Sequence, residues 1–104
     1  MNTITISGRM VKDIEMKSVG EDTIIGVFDL ACRNSKKNTT FFKVQVNETL
    51  ANMISTFAGK GSYIIVSGVM YCNKKEKDGK VYYNWTVYAD KFEFGPSTEE
   101  QIPG

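Results

Sequence analysis

The chain has 104 residues, of which 41% are hydrophobic and 24% charged, the composition of one small globular domain. It has no histidine, and its two cysteines, Cys32 and Cys72, lack the CxxC spacing of zinc and redox sites. Neither a membrane-spanning apolar run nor a signal segment is present in the sequence. We therefore expect a cytoplasmic, non-enzymatic binding protein without a cofactor, a metal or a membrane partner.

The net charge is +1, but the charges are unevenly distributed. Residues 1–92 hold all 13 lysines and arginines and nine of the 12 carboxylates, whereas residues 93–104 hold three glutamates and no basic residue. The body of the chain, residues 1–92, is thus mildly basic, and its end, residues 93–104, is acidic. A mildly basic body permits nucleic-acid binding without requiring it.

The first half of the chain shows the two-residue period of half-buried strands. Residues 3–10 predict a first strand and residues 23–33 a second, with a Gly-Glu-Asp turn before the second joining them as a hairpin. Residues 39–46 predict a third strand, in which Phe42 faces inward and its neighbour Phe41 outward. We expect a β-sheet in which Phe41 is exposed.

The period changes to that of a helix over residues 48–58, where Asn47 can act as the N-cap. Two glycines flanking Lys60 end the segment. The apolar face of the predicted helix consists of Leu50, Met53, Ile54 and Phe57. We expect this face to plug one end of the fold.

Two further strands are predicted over residues 62–73 and 81–94, with a hairpin tip at the Asp-Gly pair within residues 74–80. Trp85 has the same alternation parity as Val87, which predicts that Trp85 packs in the core. Strands this long would leave exposed edges in a flat sheet, and closure into a barrel removes those edges. We therefore predict an all-β fold with one helix, namely a five-stranded OB-fold barrel with the helix between strands 3 and 4.

The domain is expected to cover residues 1–95, followed by a short acidic, disordered tail at residues 96–104. On the barrel, aromatic side chains alternate with cations at the outward positions of strands three to five. Unpaired bases stack on aromatic faces while lysines and arginines follow the phosphates, so this pattern indicates single-stranded nucleic-acid binding. Two other roles stay open, because outward tyrosines also pair across strands and lysine-rich hairpin tips also protect sheet edges.

The opening segment NTITISGRMVKDIE (residues 2–15) resembles the first strand of bacterial and phage single-stranded DNA-binding proteins, whose pattern is N-x-h-x-h-x-G-R-L-x-x-D-P-E with h aliphatic. Further matches follow in order at Phe28–Ala31, Phe41–Val44, Leu50–Ala51, Lys60–Ser62, Gly68 and Val87–Phe94. The resemblance spans residues 2–94. It implies an OB-fold subunit, usually of a homotetramer, around which single-stranded DNA wraps.

By position, Phe41 matches an aromatic residue on which members of the family stack a base, and Lys43 matches a basic residue beside it. Other stacking positions of the family align with Lys36, Asn47 and Lys75, where phosphate attraction replaces part of the stacking. We hypothesise that the rings of Tyr71, Tyr82 and Tyr83 compensate for the stacking lost at these positions. The predicted nucleic-acid contacts are Arg9, Arg33, Lys36, Lys37, Phe41, Lys43, Tyr71, Asn73, Lys74, Lys75 and Tyr82.

The expected function is sequence-independent binding and protection of single-stranded DNA in replication, recombination or repair. The alternative is an OB-fold adaptor of a replication or primosome assembly. The expected partners are single-stranded DNA, further copies of the chain in a tetramer or dimer, and replication or recombination proteins. The short end, without the family's long linker and aromatic tip, is typical of a phage or mobile-element form acting in the bacterial host cytoplasm.

Overall fold

The computed structural model describes residues 1–95, so the predicted tail of residues 96–104 lies outside the described residues. Within residues 1–95 the chain forms six strands and one helix. In chain order they are β1 (Ile4–Met10), β2 (Glu15–Val19), β3 (Thr23–Arg33), β4 (Thr39–Asn47), α1 (Glu48–Phe57), β5 (Tyr63–Lys77) and β6 (Lys80–Phe94).

Five of the strands close into a ring in the order β1, β5, β6, β4, β3 and back to β1. The last step of this ring is short, because the β1–β3 ladder pairs only Arg9 with Ala31 and Met10 with Leu30. The β4–β6 pair is parallel and the other pairs are antiparallel. The ring confirms the predicted five-stranded OB-fold barrel. The helix lies between β4 and β5, which are the third and fourth strands of the ring in chain order.

The strand outside the ring, β2, was not predicted from the sequence. The chain leaves β1 after Met10, and the carboxylate of Asp13 accepts a hydrogen bond from the Lys60 backbone N–H at 2.7 Å. β2 then pairs with β3 alone and is exposed along its whole length. The predicted turn before β3 therefore joins β2, not β1, to β3.

The helix begins as predicted, because the Asn47 side chain accepts a hydrogen bond from the Leu50 backbone N–H at 2.9 Å. The predicted apolar face is only half right: Ile54 is fully buried, but Met53 is 46% and Phe57 75% exposed. The helix instead packs against Gly26 of β3 through Ala51, which is fully buried. A Cβ atom at Gly26 would lie 2.5 Å from the Ala51 Cβ, so the glycine permits this close approach. Met53 and Phe57 stay largely exposed, and the Phe57 ring meets the Phe94 ring of β6 edge to face with centroids 6.4 Å apart.

The β5–β6 hairpin is longer than predicted, because its ladder runs to Lys77 opposite Lys80. Its two-residue turn, Asp78-Gly79, has φ values of 53° and 76°, as a type I′ turn requires. The β4–β6 ladder pairs only Val44 with Val87 and Gln45 with Tyr88. Trp85 lies two residues before this ladder and is 59% exposed, so the prediction that it packs in the core is wrong.

Candidate nucleic-acid interface

The strand register places several predicted contacts in rows across the outer surface of the barrel. Arg9 on β1 lies opposite Ala31 on β3, and Ala31 lies opposite Phe41 on β4. Two residues before Ala31 in β3, on the same face, Asp29 lies opposite Lys43. Directly opposed residues of antiparallel strands have Cβ atoms about 5 Å apart, so these rows are continuous surfaces.

A groove of about 420 Å³, here called the aromatic groove, opens between β4 and the β5–β6 hairpin. Its volume lies in the range of ligand pockets. It is lined by Asp29, Phe41, Lys43, Asn73, Lys75, Tyr83, Asn84, Trp85 and Thr86. The groove thus brings four of the predicted contacts together: Phe41, Lys43, Asn73 and Lys75.

Three large rings in the aromatic groove are open to solvent. Phe41 is 66% exposed, Tyr83 61% and Trp85 59%. Clustered exposed apolar side chains on a soluble domain mark an interaction surface. With two lysines in the same lining, the groove combines stacking surfaces with positive charge.

The β5–β6 hairpin has two faces, and its register separates the predicted contacts between them. The outward face carries the opposed pairs Tyr71–Thr86, Asn73–Asn84 and Lys75–Tyr82. The opposite face carries Cys72–Trp85 and Lys74–Tyr83. Lys74 and Lys75, adjacent in sequence, therefore lie on opposite faces of the hairpin. Tyr71 and Tyr82, about half exposed, lie on the outward face beside the aromatic groove but not in its lining.

A second groove of about 380 Å³, here called the arginine groove, lies between β1 and β3. Its lining consists of Ser7, Gly8, Arg9, Ala31, Arg33, Thr39 and Tyr63. Since Ala31 lies opposite Phe41, the arginine groove leads directly to the ring at the edge of the aromatic groove.

Neighbouring groups hold Arg9 in place before any ligand binds. Its guanidinium lies 5.7 Å from the centre of the Tyr63 ring and donates a hydrogen bond to the Gly61 carbonyl at 3.0 Å. The Tyr63 hydroxyl donates to the Ser7 hydroxyl at 3.0 Å. An arginine fixed in this way loses less side-chain entropy on binding a phosphate than a free one.

Lys36 and Lys37 lie in the loop that joins β3 to β4, and both are exposed. Within this loop the Asn34 backbone N–H donates to the Asn38 carbonyl at 2.8 Å. The loop leaves the sheet at Arg33 and returns at Thr39, which both line the arginine groove. The two lysines therefore add positive charge at the end of that groove.

Among residues 1–95, no group of three or more histidine, cysteine, aspartate or glutamate side chains could hold a metal ion. Burial raises the pKa of the Cys32 thiol above 9.0 and keeps the thiol protonated at neutral pH. None of the helices in this range is both long enough and apolar enough to cross a membrane.

Nine residues that line the grooves are not among the predicted contacts or compensating rings: Ser7, Gly8, Asp29, Ala31, Thr39, Tyr63, Asn84, Trp85 and Thr86. Asn84 could have been found by counting back from the Asp-Gly turn, which places it opposite Asn73. Asp29 and Thr39 carried no signal of their own, because single polar residues on outward positions are ordinary in sheets.

A family model described as the Single-strand binding protein family matches residues 1–95. The chain is 30% identical over 98 residues to the Single-stranded DNA-binding protein 2 of Streptococcus agalactiae serotype III, a match that covers 94% of this chain and 75% of the relative. It is 29% identical to the Single-stranded DNA-binding protein 1 of Streptococcus pyogenes serotype M6, with 88% and 75% covered. It is 32% identical to the Single-stranded DNA-binding protein of Clostridium tetani, with 90% and 70% covered.

Proposed function

The chain belongs to the single-strand binding protein family, and on this premise we propose that it binds and protects single-stranded DNA. The binding is non-enzymatic, depends only weakly on base sequence, and serves replication, recombination or repair. One observation carries the proposal: Phe41, 66% exposed, stands between two grooves that supply cations on either side.

The binding has two physical components. Lysines and arginines displace counterions from the phosphates, so the affinity falls as salt rises. Exposed rings stack against bases and contribute about 1–3 kcal/mol for each base engaged. Stacking requires an accessible base face, which a duplex conceals, so the rings select single strands.

The two grooves support the following path for the strand. The phosphates approach the arginine groove, where Arg9 is already held in place and Lys36 and Lys37 lie at the end. A base then stacks on Phe41, and the strand continues into the aromatic groove between Lys43 and Lys75. Of the predicted contacts, Tyr71, Tyr82 and Lys74 are absent from the lining of both grooves and lie beside this path.

We further propose that the chain works as a homo-oligomer, a dimer or tetramer, in the bacterial cytoplasm and alongside replication or recombination proteins. The resemblance to phage and bacterial relatives supports these points. Multi-angle light scattering of the purified protein, with and without an oligonucleotide, measures the oligomeric state directly.

A titration with labelled oligothymidine and with a duplex of equal length tests the proposed function. The anisotropy of the label reports binding, and the emission of Trp85, the single tryptophan of the chain, reports stacking in the aromatic groove. We expect tight binding and quenched emission with the single strand and weak binding with the duplex. Equal binding to both, or no binding by the folded protein, contradicts the proposal, and the latter favours an OB-fold adaptor.

A further inference from the structure

Asp29 places a carboxylate on a surface that otherwise suits a polyanion. It lines the aromatic groove together with Phe41 and Trp85, and it lies opposite Lys43 in the strand register. It is exposed, whereas its neighbours Phe28 and Leu30 are buried in the core. Its side chain is therefore available to whatever occupies the groove.

The backbone fixes the position of this carboxylate. The Asp29 carbonyl accepts a hydrogen bond from the Val11 N–H at 3.0 Å, and the residue lies within the continuous β3–β4 ladder. A side chain on a central strand of a closed barrel is held more accurately than one on a loop.

A carboxylate in this place repels a phosphate but can accept hydrogen bonds from a base. Adenine, cytosine and guanine each donate from an exocyclic amino group, whereas thymine and uracil carry carbonyl oxygens at those positions and donate only from the ring N3–H. Bases in a single strand expose these edges to protein side chains. The ring of Phe41 supplies a stacking surface in the same groove.

We propose that Asp29 gives the aromatic groove a preference for bases that bear an amino group over thymine and uracil. This inference rests on the proposed function and adds a weak base selectivity to it. Lys43 and Lys75 take the phosphates, while Asp29 and the amides of Asn73 and Asn84 face the base edges. A purely structural role, in which Asp29 only pairs with Lys43 across the strands, gives no dependence on the base.

Oligodeoxycytidine and oligodeoxyuridine of equal length provide the sharpest test, because both are weakly self-stacked pyrimidines that differ in the amino group. Their affinities are measured by anisotropy at mildly alkaline pH for the wild type and for Asp29→Asn. We expect the wild type to bind the cytidine strand about three- to tenfold more tightly. We expect the ratio to fall towards one in Asp29→Asn, because an amide can either donate or accept.

Asp22→Asn is the matched control, since it removes the same charge from the turn between β2 and β3, outside both grooves. It should change both affinities equally and preserve their ratio. A wild-type ratio of one, or a ratio unchanged in Asp29→Asn, overturns the inference while leaving the proposed function intact. Failure of the wild type to bind either strand overturns the proposed function itself.

Discussion

Tyr71 stacks on Tyr88 with ring centroids 4.7 Å apart and ring planes inclined by 27°. Both rings lie on the outward face of the β5–β6 hairpin, where Tyr71 is 51% exposed and Tyr88 is half-buried. One face of Tyr71 is thus occupied by its neighbour, and the other face is open. A ring held in this way offers a stacking surface at a low entropic cost.

We expect Tyr71→Ala to weaken single-stranded DNA binding by about 1–3 kcal/mol, because it removes the open ring. Tyr88→Ala should weaken binding less, since it loosens Tyr71 without removing it. Anisotropy titrations with oligothymidine measure both effects, and circular dichroism checks the fold. A larger loss for Tyr88→Ala than for Tyr71→Ala would show that Tyr71 is not the stacking surface.

Phe41→Ala should weaken binding by about 1–3 kcal/mol without unfolding the domain, because an exposed ring contributes stacking but little core packing. The matched control is Met16→Ala, which removes an exposed apolar side chain from β2, outside both grooves. We expect the control to bind as the wild type does. Unchanged affinity in a folded Phe41→Ala protein would remove Phe41 from the site.

Charge reversal at Lys75 should reduce the dependence of affinity on salt, whereas the same reversal at Lys74 should not. Each phosphate neutralised on a single strand contributes about 0.7 to the slope of log affinity against log salt, and Lys75 lines the aromatic groove while Lys74 does not. Lys75→Glu and Lys74→Glu change the net charge equally, so each controls for the other. Titrations over a series of salt concentrations give the slopes, and equal slopes in the two variants would refute the proposed path.

The strands of the barrel and the exposure of Phe41 could be predicted from the sequence because both follow from alternation along single strands. Phe42 is half-buried and Phe41 exposed, as a two-residue period requires. The turn at Asp78-Gly79 was equally predictable, because few residues other than glycine and aspartate or asparagine adopt its positive φ values. Such features depend on neighbours in sequence.

Trp85 and Phe57 could not be predicted in the same way, because their burial depends on where other elements end. Alternation correctly placed Trp85 on the same side of β6 as Val87, but alternation does not show how far the core extends along that side, and Val87 is fully buried while Trp85 is 59% exposed. The helix period correctly grouped Phe57 with Ile54, but the contact of Ala51 with Gly26 decides which part of that face is buried. These are properties of packing, not of periodicity.

The stability of the domain should carry a pH-dependent contribution from Cys32. Burial raises the pKa of this thiol in the folded state above 9.0, its value when exposed. The contribution is therefore fully present below pH 9.0 and is lost as the pH rises above it, because the unfolded chain then releases a proton that the folded chain retains. The informative quantity is the difference in unfolding free energy between the wild type and Cys32→Ala, because contributions that the two proteins share cancel in it. Urea denaturation should show this difference shrinking above pH 9.0. A constant difference for Cys32→Ala would mean that this thiol ionises as readily in the folded barrel as in the unfolded chain.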